Sequence, residues 1–450
     1  MMRYIGTVRR VSAICTFAVA ALTAGCRDTL LQVQHPDIIN PSDLNSADGA
    51  DGLRVGAIGR LVYMTAGDES SWLYGGLIVD EWRSGDTFIQ RDQADLRSVD
   101  PSNSFVALAY RNINRARVDA YLALQALKAY KPSPVSNLGL MWFVKGFAEF
   151  QAASDFCNGI TFADLSGSSP AAGNPMSDSA AFVMAAASFD SSLANSGGDA
   201  TVTNSAKIGK ARALLGLGRV QEASALVAGI PTSFAYNMTY EAVKQDNFIW
   251  TINSSARRYS VQDSVDGSGT VPNALPFVSA KDPRVPTAQT SKVSFDGVTP
   301  FQAQLIWSVR DAPVAVVNGI DARLAEAEAS LAGSNTANWL LILNTLRAGP
   351  TPDGPLTISG MAPLTDPGTL AARVKLMFRE RAFWTFARGQ RLGDLRRMIR
   401  QYGFTPAQVF PGEGGVWFKT GAKYGQDYNI PVSGDELNNP NFHGCTNRAP

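Results

Sequence analysis

Asp80, Glu81 and Asp86 crowd into a stretch that also holds Trp72, Tyr74, Trp82 and Phe88. Two carboxylates facing each other across ~5–9 Å could hydrolyse a glycosidic bond, one as acid and the other as base or nucleophile. Nothing in the spacing of these three forces such a pair, and hydrogen-bonded or solvated acids are the plainer account. The aromatic side chains carry more information. A sugar ring has a C–H face that stacks on Trp or Tyr, while its hydroxyls need Asp, Asn, Arg or Gln at the rim. Trp72, Tyr74 and Trp82 near Asp86, and Trp250 with Tyr259 near Asn253 and Arg258, have that make-up. These are the ligand-binding candidates. The competing account is that the rings are core, as large aromatics in helical folds usually are.

Other chemistries find little support. The only two histidines, His35 and His443, stand near opposite ends, which argues against a His triad, a His-rich metal site or a His general base. No phosphate-binding G-x-x-x-x-G-K-[ST], no G-x-G-x-x-G after a strand pattern, no CxxC and no HExxH occurs; Gly267-Ser268-Gly269 reads as loop. No cofactor or metal is called for. Hydrophobic content of 45% and charged content of 18% are those of a soluble globular protein. The formal net charge is +1, and the first 25 residues hold three arginines and no acid, so the remainder is slightly acidic. A nucleic-acid partner, which needs a basic face, is not suggested.

A scaffold must hold the aromatics, and residues 377–397, M-F-R-E-R-A-F-W-T-F-A-R-G-Q-R-L-G-D-L-R-R, show its clearest part. Val374, Met377, Phe378, Ala382, Phe383, Phe386 and Ala387 recur near a period of 3.6, which predicts a helix. Leu376 and Trp384 widen its apolar side, so burial on most sides is expected. Gly389 stands where this helix would stop, since glycine takes the left-handed C′ conformation cheaply. A second helix, over 392–402, follows Arg391. Glu380, Arg381, Arg391 and Asp394 thus bring two acids and two guanidinium forks into an apolar setting, where charges must pair or be expelled. Their expected role is structural rather than catalytic.

Further helix patterns begin at Ala50 and cover 105–130 and 138–156. Residues 206–217 and 220–227, joined by Gly218-Arg219, form a helix pair with small residues Ala211, Gly218, Ala223 and Ala225 at its contacts. This resembles a tetratricopeptide unit of ~34 residues. Residues 322–331 and 339–346 read as another pair. Isolated pairs cannot bury their apolar faces, so several should stack. Between them, residues 231–310 hold six prolines and ten aromatics without a helix period. So many aromatics argue against disorder, and long loops in compact domains are often functional. The expected fold class is mainly α: tetratricopeptide-like helix pairs form a scaffold in one large domain over 49–450, with a loop-rich insertion at about 231–310 that contains short strands.

The N-terminus reads as a targeting segment. Arg3, Arg9 and Arg10 precede an apolar run over 11–24, too short to span a bilayer. It ends in Leu22-Thr23-Ala24-Gly25-Cys26, which resembles a bacterial lipobox with Thr23 at the usual Leu position. Residues 1–25 are read as a lipoprotein signal peptide, Cys26 as the lipidated N-terminus and 26–48 as a tether and entry segment. The competing account is an ordinary secretory signal with an incidental cysteine. Cys157 and Cys445 lie in loop-like contexts of a chain exported to an oxidising compartment. A disulfide between them would tie the C-terminal tail to the helical half; two free thiols are the alternative.

The stretch around Gly389 also resembles the signature of the SusD/RagB family of outer-membrane nutrient-binding lipoproteins: E-R, two residues, E-L, two residues, E-G, one residue, R, two residues, D-L. Glu380, Arg381, Gly389, Arg391, Asp394 and Leu395 match it. Trp384-Thr385 replaces the usual E-L, and Arg388 the usual Glu. Asp282-Pro283-Arg284 resembles a common family segment, and Asn429-Ile430-Pro431, Glu436 and Asn439-Pro440 resemble the family's ending. The resemblance implies a non-enzymatic, lipid-anchored protein of the outer membrane, on the cell surface. It would capture a glycan, oligosaccharide or peptide and cap a SusC-like TonB-dependent outer-membrane transporter. Two other classes stay open: an exported polysaccharide-degrading enzyme, and a periplasmic tetratricopeptide scaffold lipoprotein.

Overall fold

The computed structural model describes residues 44–167, 171–243 and 245–450, apart from the side chain of Ser291. The signal segment, Cys26 and the tether up to residue 43 lie outside the described residues. The body comprises Ser46–Pro450.

Twelve helices of seven residues or more can be followed among the described residues. The first, α1 (Ala47–Ala66), starts where the Ser46 hydroxyl accepts from the Gly49 amide at 3.0 Å, so it begins within the stretch expected as entry segment. There follow α2 (Ser71–Ile78), α3 (Ile89–Asp95), α4 (Ser104–Tyr130), α5 (Ser136–Asp155), α6 (Asp178–Ala194), α7 (Ala200–Gly216) and α8 (Val220–Val227). After a long excursion come α9 (Gly319–Ala332), α10 (Thr336–Ala348), α11 (Leu370–Trp384) and α12 (Arg391–Tyr402). Each helix from α4 to α8 packs on the next, α8 packs on α9, and α9 packs on both α10 and α11. That is a stack of helix pairs whose apolar faces are covered by neighbours. Ala211 and Ala223 are buried at the α7–α8 contact and Gly218 makes the turn with a positive φ, whereas Ala225 faces solvent instead of the contact.

The excursion between α8 and α9 is closed at its base. Strand β2 (Ala235–Met238) pairs antiparallel with β6 (Val314–Asn318), and the Gly319 amide donates to the Phe234 carbonyl at 2.8 Å. The chain therefore returns to the place it left, and α9 continues the stack. The Asn318 side chain then opens α9 as a capping box with Asp321. Inside the excursion lie β3 (Tyr259–Val261) and the hairpin β4 (Thr287–Val293) and β5 (Pro300–Gln304). Strand β3 pairs with β1 (Trp82–Ser84), with Trp82 opposite Val261 and Ser84 opposite Tyr259. The two aromatic stretches picked out in the sequence are thus one structure.

Two local expectations are corrected. Residues 72–78, expected to offer Trp72 and Tyr74 to a ligand, form helix α2, which is buried throughout. Helix α11 stops at Trp384, five residues before Gly389, and Arg391 is the first residue of α12 rather than its predecessor. The Thr385 hydroxyl donates back to the Arg381 carbonyl at 2.8 Å, and Ala387 takes a φ of 57°, so the chain leaves the helix early. Gly389 has the left-handed φ of 63°, but its neighbour is the reason: a Cβ there would lie 1.9 Å from Trp72 Cδ1.

Candidate ligand-binding face

The charged residues around Gly389 tie the elements together. Glu380 on α11 accepts from Arg284 Nη1 at 2.6 Å and Arg347 Nη1 at 3.1 Å. Asp282 grips the other edge of the Arg284 fork at 2.7 and 2.8 Å, so the Asp282-Pro283-Arg284 segment anchors the excursion to α11. Arg381 reaches Asp394 at 2.8 Å, Asp394 reaches Arg397 at 3.0 Å, and Arg397 bonds Glu328 on α9. Arg388 donates to Asp321 at 2.9 Å and to the Ala315 carbonyl at 3.0 Å. Arg391 Nε meets Asp80 at 2.7 Å and the Val79 carbonyl at 2.9 Å. All these side chains are buried and paired, as charges in an apolar interior must be.

The acids near the N-terminal aromatics are also committed. Asp80 pairs with Arg391 and accepts from the Leu275 amide at 2.6 Å. Glu81 is buried with one hydrogen bond, from the Ala387 amide at 3.0 Å, and burial pushes its carboxyl up to about 8. Asp86 is held by Arg91 and Arg258. No two of the three face an open cleft as hydrolysis would require.

Five of the six expected ligand-binding residues belong to the interior. Trp72, Tyr74, Trp82 and Tyr259 are fully buried, and Asp86 lies beneath the surface. Trp72 Nε1 donates to Gln151 at 3.0 Å, and Trp82 packs on Tyr259 and Phe386 with centroids 6.2 and 5.1 Å away. These rings have no free face for a sugar, because α2 packs among α1, α4, α5 and α12 and β1 is covered by its pairing with β3. Asn253, expected at the rim, is a buried clamp: its amide donates to the Tyr259 and Gln302 carbonyls at 2.9 and 3.1 Å. Trp250 alone of the six is partly exposed, with the Arg310 guanidinium 5.8 Å from its ring. Cys157 and Cys445 are joined as a disulfide that ties the tail to the end of α5.

An aromatic surface that does face solvent is built from Phe88 and Phe295, 46% and 47% exposed. The Arg258 guanidinium lies 4.9 Å from the Phe88 ring and 3.7 Å from the Phe295 ring, and is held from below by Asp86. Phe105 extends the surface 6.1 Å beyond Phe88, over Arg91. The framework beneath is tightly bonded. The Gly85 amide donates to the Arg258 carbonyl at 2.8 Å, the Asp296 amide to Gly85 at 2.9 Å and the Phe295 amide to Arg257 at 2.9 Å. A Cβ on Gly85 would lie 2.2 Å from Ser294 Cβ, so only glycine allows this approach. Lys419 braces the same turn through the Asp86 carbonyl at 2.8 Å and Asp92 at 2.7 Å. The arrangement offers two apolar ring faces and a planar cation between them, which suits the C–H face and hydroxyls of a sugar. Phe295 sits in a turn directly before Asp296-Gly297 and Phe88 is the extended N-cap residue of α3; for Phe295, a ring beside a turn dipeptide was the signal available in the sequence.

No protein-family model and no curated protein sequence matches the chain. Solved structures do. A SusD-like carbohydrate binding protein from Bacteroides vulgatus superposes with a TM-score of 0.62 at 11% identity, over 88% of this chain and 97% of that one. This chain has the SusD-like fold. A SusD-like protein from Bacteroides fragilis gives a TM-score of 0.63 at 11% identity, over 91% and 99% of the two chains. Surface glycan-binding protein A from Bacteroides uniformis gives 0.60 at 12% identity, over 89% and 99%. The SusD-like fold is helical, as the sequence resemblance implied, and here the helix–Gly389–helix unit lies at the junction of the stack and the excursion.

Proposed function

We propose that this chain is a surface lipoprotein that captures a glycan or oligosaccharide on the Phe88–Arg258–Phe295 face and delivers it to a TonB-dependent outer-membrane transporter. The observation that carries the reading is that face: two half-exposed rings with a guanidinium between them, on a bonded framework, in a SusD-like fold. The names of the structural neighbours, a carbohydrate binding protein and a surface glycan-binding protein, support a sugar as the ligand class. The basic–apolar–small–Cys26 order supports an outer-membrane lipid anchor. No helix among the described residues is long and apolar enough to cross a membrane. The proposed action is binding: the acids nearest the aromatics are locked in ion pairs or buried. Each ring contributes on the order of 1 kcal/mol beyond area burial, so affinity is modest until the transporter covers the other side of the ligand. Trp250, with Arg310, is a second contact on the excursion. Calorimetry with a panel of malto-, xylo-, cello- and manno-oligosaccharides tests the reading: at least one should bind, and Phe88→Ala with Phe295→Ala should weaken it.

A further inference from the structure

A second opening lies away from the aromatic face, between α11, α12, residues 273–275 in the middle of the excursion and residues 408–409. It is a cavity of about 150 Å³, the size that accommodates a single six-membered ring. Its apolar lining includes Phe378, Leu395 and Met398. Three cations converge on it: Lys375, Arg379 and Arg391. None of its lining residues is a carboxylate.

These cations keep donors in reserve. Lys375 is exposed and stacks on the Phe404 ring at 5.7 Å, with no acid beside it among the described residues. Arg379 reaches only Glu380, at 3.2 Å, and Glu380 is already held by Arg284 and Arg347. Arg391 is 4% exposed and uses Nε on Asp80 and Val79; its two Nη groups have no hydrogen-bond acceptor among the described residues. Among the described residues the ion pairs of these three cations are Arg379 with Glu380 and Arg391 with Asp80, and Glu380 is shared with Arg284 and Arg347. The Arg391 Nη groups open onto the cavity, and a surplus of positive charge at an open cavity favours an anion. Asn273 and Gln408, also in the lining, are each bonded through one end of the amide, Nδ2 to Ala407 and Phe410 and Oε1 to Thr405, which leaves Asn273 Oδ1 and Gln408 Nε2 for hydroxyls.

We infer that this cavity binds a ring-sized carboxylate, of the class of a uronic acid residue. The apolar floor takes the ring, and Arg391, Arg379 and Lys375 take the carboxylate. The site shares no residue with the Phe88–Arg258–Phe295 face, so it stands or falls separately from the function proposed above.

Calorimetry of the full body, residues 46–450, with D-glucuronate, D-glucose and acetate tests it. Glucuronate should bind one to one, with glucose and acetate at least tenfold weaker. Lys375→Ala with Arg379→Gln should weaken glucuronate at least tenfold without lowering the melting temperature, since both side chains reach solvent. Phe88→Ala with Phe295→Ala should leave glucuronate binding unchanged. Glucuronate binding no tighter than glucose or acetate, undiminished binding in the first double variant, or lost binding in the second would each overturn the inference.

Discussion

The α-carbon of Gly389 lies against the indole of Trp72: a methyl group there would sit 1.9 Å from Cδ1 and 2.4 Å from Nε1. The indole cannot retreat, because its Nε1 donates to Gln151 and its other edge meets Phe147 at 6.5 Å. Gly389→Ala should therefore destabilise twice. The left-handed φ costs ~1–2 kcal/mol for an L-residue, and overpacking adds ~1–3 kcal/mol. Chemical denaturation should show a loss of about 2–5 kcal/mol; a variant as stable as the parent would contradict this packing.

Glu380 joins α11 to the Asp282-Pro283-Arg284 segment and to Arg347 on α10. Glu380→Ala would leave the fully buried Arg284 fork facing one carboxylate fewer. Breaking a buried pair from one side costs ~3–5 kcal/mol. The melting temperature should fall steeply, and limited proteolysis should cut first in the excursion that this contact anchors. Unchanged protease resistance there would show that the excursion is held by other contacts.

Much of the scaffold was legible because it follows the helix period. The α7–α8 and α9–α10 pairs fell where apolar spacing and the Gly218 turn put them, and paired charges around Gly389 followed from their apolar setting. Two things were not legible. Helix α2 contains Gly75 and Gly76, which weaken a helix pattern, yet Gly76 is small because Trp82 packs where a Cβ would go, 2.7 Å from its Cδ1. The exposure of the aromatics was hidden too, since periodicity does not reveal what will cover a loop. The pairing of β1 with β3 buries Trp82 and Tyr259 and leaves Phe88 and Phe295 outside. The sequence indicated the two stretches that meet, but not which rings would point outward.

Glu81 also makes stability depend on pH in a stated direction. Burial raises its carboxyl from 4.5 to about 8, and Asp95 and Asp155, likewise buried, rise from 3.8 to about 7. Between the lower and upper values the unfolded chain releases protons that the folded chain keeps, so rising pH favours unfolding. The contribution of these groups is complete below the lower values and is lost as pH climbs to about 8. Melting temperatures should fall from pH 5 to pH 8. Glu81→Gln, which keeps a neutral acceptor for the Ala387 amide, should flatten that slope; an equally steep slope in the variant would exclude Glu81 as a cause.

Lipidation of Cys26 is testable by fractionation. Cys26→Ala should keep the signal segment uncleaved before that residue or release the body from the membrane fraction. Membrane association and processing identical to the parent would rule out a lipid at this position.

The most direct measurement is oligosaccharide binding by calorimetry, paired with thermal melting, for the parent, Phe88→Ala with Phe295→Ala, and Trp82→Ala. An oligosaccharide bound by the parent should bind the first variant at least tenfold more weakly, with the melting temperature nearly unchanged. Trp82→Ala should instead melt much earlier, by the ~3–5 kcal/mol lost when a buried Trp is removed. No oligosaccharide binding by the parent, or full affinity in the Phe88/Phe295 variant, would contradict the proposed binding face.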